Sequence, residues 1–172
     1  HIVINIVNKS FCCGWAACVQ ICPKKCISLT EDKEGFLYPI VDKATCIDCG
    51  LCEKVCPYLT EGIEREPKVV YAAKHLNEDI RLQSSSGGVF TLLAEKIIND
   101  GGVVFGVRFD DKWEVEFAYS ETIDGLSAFR GSKYVQARVG NVFIDAERFL
   151  KDGRKVLFSG TPCQIKGLLR YL

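Results

Sequence analysis

Apolar and polar positions follow two different rhythms along this chain. Over the first third, short apolar runs at 2–7, 27–30 and 36–41 are separated by cysteine-rich stretches too brief for long helices. That pattern predicts three short strands with small helical turns between them. Residues 60–67 are polar, carry Gly62 and Pro67, and contain no cysteine. They mark a boundary, giving a first unit over 1–61, a linker over 62–67 and a second unit over 68–172.

Beyond the linker the segments lengthen and alternate. Residues 69–74 read as a strand. Residues 88–99 read as a helix with Val89, Leu92, Leu93 and Ile97 on one face, ended by Gly101-Gly102. Two strands, 103–109 and 113–119, flank a turn at Asp110-Asp111-Lys112; in the second, Trp113, Val115 and Phe117 alternate with Glu114, Glu116 and Ala118. Val139, Val142, Phe143, Ala146, Phe149 and Leu150 fall at helical spacing, and Gly153 closes that helix. A short strand at 156–158 leads into a last helical run, 164–172. Such alternation predicts an α/β domain with a mixed sheet, so the whole chain is expected to be α+β.

The cysteines give the first unit its chemistry. Cys46, Cys49, Cys52 and Cys56, with Pro57 next, form C-x2-C-x2-C-x3-C-P, the ligand run of a bacterial ferredoxin [4Fe–4S] cluster. A shift of 34 residues lays Cys12 on Cys46, Cys18 on Cys52, Cys22 on Cys56 and Pro23 on Pro57. This internal repeat predicts a dicluster ferredoxin-like domain. The fourth Cys of each run belongs to the other cluster. One cluster is therefore expected on Cys46, Cys49, Cys52 and Cys22, and the other on Cys12, Cys18 and Cys56. Trp15 stands where the last ligand is due. Three readings follow: Cys13 shifts in as the fourth ligand, the site holds a three-iron cluster, or the cluster is lost and Trp15 plugs the space. Zinc would favour C-x2-C pairs set further apart. Disulfides need an oxidising compartment, and nothing at the N-terminus resembles a signal peptide. Cys26 reads as a small buried hydrophobe.

Composition narrows the partners. The 172 residues are 48% hydrophobic, enough for a core, and 22 Lys plus Arg balance 22 Asp plus Glu. There is no basic footprint for nucleic acid, and no apolar run approaches the ~20 residues of a spanning helix. A cytoplasmic location is expected from the thiol content. The chain has no Met, and its last helical run reaches Leu172 without a stop signal, so we expect the natural product to extend further.

Three motifs mark the second unit. Ser84-Ser85-Ser86-Gly87-Gly88 precedes a helix, where free backbone N–H groups suit a phosphate or flavin pyrophosphate; an ordinary Ser-rich cap is the alternative. Arg130-Gly131-Ser132-Lys133-Tyr134-Val135-Gln136 combines cations, a Gly and an aromatic, fit for a phosphate or a flavin ring edge, or for a solvated loop. Gly160-Thr161-Pro162-Cys163-Gln164 joins a strand to a helix with Pro162 in its first turn. Such a position favours a thiolate as metal ligand or nucleophile, against a buried structural Cys.

In this order, the cysteine repeat, Ser85-Ser86-Gly87-Gly88, Gly131-Ser132-Lys133-Tyr134-Val135-Gln136 and Gly160-Thr161-Pro162-Cys163-Gln164 resemble the family of coenzyme F-420 hydrogenase/dehydrogenase beta subunits. The resemblance implies an iron–sulfur flavoprotein passing electrons between clusters, a bound FAD and a small-molecule substrate or deazaflavin. It associates Ser85, Ser86, Gly87, Gly88, Ser132, Lys133 and Tyr134 with the flavin region. It also makes Cys163 a ligand of a further cluster near the flavin, together with a later Cys-x2-Cys segment that this chain does not contain. The expected function is that of an oxidoreductase relaying single electrons from a soluble donor protein to a flavin, this chain being inactive on its own. Two rivals are a non-catalytic electron-transfer subunit of a larger redox complex and a module in which clusters only staple a small domain.

Overall fold

The computed structural model describes residues 4–5, 8–59 and 66–172. Contacts divide the chain into two compact units, His1–Ile63 with Gly160–Leu172, and Glu64–Ser159. The sequence pattern alone assigns Gly160–Leu172 to the second domain; its contacts place it with the first.

Among the described residues, the first unit is built on one hairpin. Strand β1 (Ile27–Glu31) pairs antiparallel with β2 (Leu37–Val41), Ile27 opposite Val41 and Glu31 opposite Leu37. Asp32 shapes the turn: its Oδ1 accepts from the N–H groups of Glu34 (2.9 Å) and Phe36 (3.2 Å), while Gly35 adopts φ +85°. Helices α1 (Ala17–Ile21) and α2 (Leu51–Lys54) are single turns. The strand expected at 2–7 lies mostly outside the described residues.

The second unit holds α3 (Glu78–Leu82), α4 (Val89–Asn99), β3 (Val103–Phe109), β4 (Val115–Ser120), α5 (Val142–Lys151) and β5 (Val156–Phe158). Its sheet order is β4-β3-β5, with β3 antiparallel to β4 and parallel to β5. That is the mixed sheet expected. Central strand β3 explains the core, since Val103, Val104 and Phe105 are fully buried. Phe105 stacks on Phe158 at 5.3 Å and meets Phe149 edge-on. As the spacing predicted, α5 buries Val142, Phe143, Ala146 and Phe149 against it. The remaining helix, α6 (Pro162–Tyr171), belongs to the first unit, where it packs on α1.

Three expectations are corrected. Residues 69–74 form no strand: Val69, Val70 and Tyr71 face solvent, and the neighbouring backbone pairs with a loop, His75 N–H donating to Gly87 O at 2.6 Å. A strand persists only where its backbone groups find a partner strand. Helix α4 turns a different face inward than expected. Thr91 and Ala94 are fully buried and Phe90, Ile97 and Ile98 join the core, while Leu92 and Leu93 stay 46% and 49% exposed. Two apolar stripes overlap on this helix, and the one with small residues at its centre allows closer approach to the sheet. Trp113 lies in the turn rather than in β4, at φ +63°, because Asp110 Oδ1 draws in the N–H groups of Lys112 and Glu114, both at 2.8 Å.

Gly106, in the middle of β3, faces Phe129; an added Cβ would stand 2.7 Å from its Cγ. Gly106→Ala is therefore expected to destabilise the second unit by about 1–3 kcal/mol through overpacking. Urea unfolding followed by circular dichroism checks this, and an unchanged midpoint would contradict it.

Candidate metal centre

The sequence repeat is also a backbone repeat. Gly14 (φ +65°) matches Asp48 (φ +51°), and Ala16 (φ +57°) matches Gly50 (φ +72°). Ala16 and Gly50 directly precede α1 and α2 in the same left-handed conformation. A left-handed Ala costs about 1–2 kcal/mol, so the loop around Trp15 keeps, at some strain, the shape of the loop around Cys49. The sulfur environment repeats as well. Asp48 N–H donates to Cys46 Sγ at 3.4 Å, and the matching Gly14 N–H bonds the Cys12 sulfur.

The thiols divide between two recesses. One encloses about 360 Å³ of empty space and is lined by Cys12, Cys18, Cys56 and Trp15 among hydrocarbon side chains. The other encloses about 320 Å³ and is lined by Cys22, Cys46, Cys49 and Cys52, joined by Cys26. The grouping is the crossed one, each run giving its last Cys to the other recess. Among the described residues, no group of three His, Cys, Asp or Glu is arranged to hold a single metal ion.

Burial dominates the electrostatics of the first recess. It pushes Cys18 up to about 12 and raises Cys12, against the pull of the Gly14 N–H. Cys52 is likewise raised by burial, opposed by the Ile4 N–H that reaches its sulfur at 3.4 Å. Cys22 differs. Burial works against its thiolate, yet N–H groups of Cys26, Lys24 and Lys25 and the Cys26 thiol bring it below the usual value. Its partner Cys26, 3.4 Å away, is pushed up to about 12, chiefly by donating to Cys22. Bound iron reverses such penalties, because a coordinating thiol is deprotonated outright.

Three further residues have informative positions. Cys13 is exposed and absent from the first recess; partial burial and then the neighbouring Cys163 thiol raise its pKa, opposed by a polar contact with the Trp15 side chain. Cys163 sits in the first turn of α6, under a Thr161–Gln164 capping box, with its Sγ 3.0 Å from Thr161 Oγ1. Trp15 lines the first recess, and its indole N–H is buried without a hydrogen-bonding partner. Cys26 is buried, as its sequence context suggests, but its place in the second recess is not evident from the sequence. It falls on Thr60 in the repeat, so no matching thiol points to it; the three-residue spacing after Cys22-Pro23 is the available signal.

In the second unit, two of the three motifs meet. Ser132 N–H donates to Ser85 Oγ at 2.7 Å, and the two hydroxyls lie 3.1 Å apart. Arg130 donates to Thr91 Oγ1 (3.2 Å) and Gln83 Oε1 (2.8 Å). Lys133 Nζ donates to the carbonyls of Ala128 and Arg130, and burial holds its ammonium below the usual range. Gly87 presses on the chain at Ala73, where a Cβ would stand 2.5 Å from the carbonyl oxygen; Gly88, at φ +76°, caps α4. Ser84, Ser85, Ser86 and Gly87 line an open hollow of about 750 Å³ that also carries Lys74 and Arg81. Tyr134 is 93% exposed. Among the described residues, no helix is long and apolar enough to cross a membrane.

Two family models match separate stretches of the chain. Residues 11–60 match the 4Fe-4S dicluster domain. Residues 70–143 match the N-terminal domain of the coenzyme F-420 hydrogenase/dehydrogenase beta subunit. Over 94% of its length the chain is 25% identical to one of the subunits of the F(420)H(2) dehydrogenase of Methanosarcina mazei, and it spans 49% of that protein. The Ferredoxin 7Fe of Hydrogenibacillus schlegelii is 48% identical over 42 residues, 24% of this chain and 47% of that one. Ferredoxin-1 of Caulobacter vibrioides is 40% identical over 45 residues, covering 26% of this chain and 35% of its own.

Proposed function

Since the chain belongs to the family of coenzyme F-420 hydrogenase/dehydrogenase beta subunits, we propose that its first unit relays single electrons through two unequal iron–sulfur clusters to a flavin held by the second unit. Membership carries the iron–sulfur and electron-transfer character with it; the ligands, the flavin and the substrate are the proposal. One observation carries it: the thiols fall into two recesses, and only one of them has a fourth Cys where the repeat requires it.

Cys22, Cys46, Cys49 and Cys52 hold a four-iron cluster, with Cys26 as a hydrogen-bond donor to Cys22 rather than a ligand. Cys12, Cys18 and Cys56 hold a three-iron cluster. Two features favour this over a lost site: the retained left-handed backbone at Ala16 and the three thiols still gathered around one recess. The position of Cys13, outside that recess, speaks against it as the fourth ligand. The name of the Hydrogenibacillus relative, with seven irons, matches the sum of a four-thiol and a three-thiol site.

For the second unit, the Ser85–Ser132 contact supports flavin binding, because it joins the two segments suited to phosphate and ring edge. Ser85, Ser86, Gly87 and Gly88 present backbone donors ahead of α4, Ser132 fixes the second loop beside them, and Lys133 and Tyr134 follow. When bound, a flavin accumulates two electrons where clusters move one. The electrons come from a partner protein and leave to a small molecule, in a cytoplasmic setting. A non-catalytic role within a larger complex is the second reading, favoured by the Methanosarcina relative being named as a subunit. Flavin released by denaturing the purified full-length protein distinguishes them: about one per chain supports the flavin reading, and clusters alone support the non-catalytic one. Cys163 serves, on this account, as a first-unit thiol available to a further cluster.

Cys49→Ser removes the thiolate that Trp15 already replaces in the other site, so it is expected to lower iron by about one per chain, whereas Cys13→Ser leaves iron unchanged. Iron content after anaerobic purification tests both; full iron in Cys49→Ser would sink the ligand assignment. Trp15→Cys restores the missing thiolate, so its iron content should rise by about one per chain, with loss of the three-iron electron paramagnetic resonance signal. No gain in iron would argue against a three-iron site framed by this loop.

A further inference from the structure

Trp15 takes the place at which Cys49 lines the other recess, on a loop of the same backbone shape. Bulk alone does not explain this side chain. Its N–H is buried with no hydrogen-bonding partner, which costs about 1–3 kcal/mol, and a buried indole N–H usually finds an acceptor. Phe would fill comparable space without that penalty. The indole makes a polar contact with Cys13 that favours its thiolate, but that contact falls short of hydrogen-bond geometry and leaves the N–H unsatisfied. Around the recess, every other lining side chain is a thiol or a hydrocarbon, so none offers an oxygen.

A three-iron cluster would supply an acceptor. When the iron that a fourth thiolate would hold is absent, the sulfides around that corner each make one iron bond fewer. Each would keep a lone pair able to accept a hydrogen bond, and Trp15 holds the position in the repeat where the fourth ligand is due. We propose that the Trp15 indole N–H donates a hydrogen bond to a sulfide of the cluster held by Cys12, Cys18 and Cys56, an inference that rests on the three-iron reading of that site. Trp15 is thereby a positioning and tuning residue. Hydrogen bonds to cluster sulfurs help set the potential, and a donor favours the more negative, reduced form. The three-iron cluster is thus made easier to reduce, and the open corner is closed to a fourth iron by a side chain that also satisfies it.

The test uses the full-length protein purified without oxygen, compared with Trp15→Phe. Both are expected to carry the same iron and the same three-iron resonance. Pulsed resonance before and after exchange into heavy water should show an exchangeable proton coupled to the wild-type cluster, lost in Trp15→Phe, with a lower midpoint potential in the variant. Unchanged potential and coupling would overturn the hydrogen bond. Should Trp15→Phe fail to take up iron, nitrogen-15 indole labelling of Trp113→Phe protein decides instead: Trp15 is then the sole tryptophan of these 172 residues, and its nitrogen should couple to the cluster. A three-iron signal without that coupling overturns the hydrogen bond alone. Absence of any three-iron signal in the wild type overturns the cluster reading, and the hydrogen bond with it.

Discussion

The first unit has to make a hydrophobic core largely out of thiols. Among the described residues its sheet is one antiparallel hairpin, and two strands are marginal on their own in water. The buried cluster consists of Ile4, Cys18, Cys26, Ile27, Cys52 and Cys56, flanked by Trp15, Val19, Cys22, Val41 and Cys46. Most of those side chains are small, and burial raises the pKa of Cys12, Cys18 and Cys52, so in the bare fold these thiols favour the protonated form. Thiolate–iron bonds resolve this, since metal binding free energy becomes folding free energy when the site exists only in the folded chain. The crossed grouping of the thiols makes the effect mutual, because each cysteine run must be in place for both recesses to be complete. In the second unit, Val103, Val104, Phe105, Leu126 and Phe143 are fully buried and need no such help.

Within that frame, unequal sites have a direct consequence for function. The loop at Trp15 keeps the left-handed residues that let a backbone wrap a cluster, so the repeat has changed its chemistry while conserving its shape. On the three-iron reading, the Trp15 site lacks one thiolate together with the iron it would hold and gains an N–H donor. The donor would favour an added electron, and the two sites would differ although the sequence motif is duplicated. Under the proposed function, two different steps would suit a relay between an electron donor and a flavin.

The cysteine spacing was the strongest sequence signal because ligation ties residue identity to position, and the recesses group the thiols in the pattern that spacing implied. The β1–β2 hairpin, β3, β4, α5 and β5 were legible for a related reason: their periodicity reports a single buried face. Legibility failed where local pattern competed with tertiary partners. Residues 69–74 are apolar enough for a strand but have no strand beside them, and α4 carries two candidate faces between which only the sheet decides. The place of Cys26 depended on a turn, with Lys25 at φ +49°, that no repeat comparison reveals. The pairing of Ser85 with Ser132 joins loops distant in sequence, and no local pattern announces it.

The central claim is that this chain holds one four-iron and one three-iron cluster. Counting iron and acid-labile sulfide in the anaerobically purified protein, with Mössbauer spectra to sort the iron, tests it most directly. The account predicts about seven irons and about eight sulfides per chain, divided between the two cluster types. About four irons, all of one type, would contradict it and leave Trp15 as the plug of a closed site.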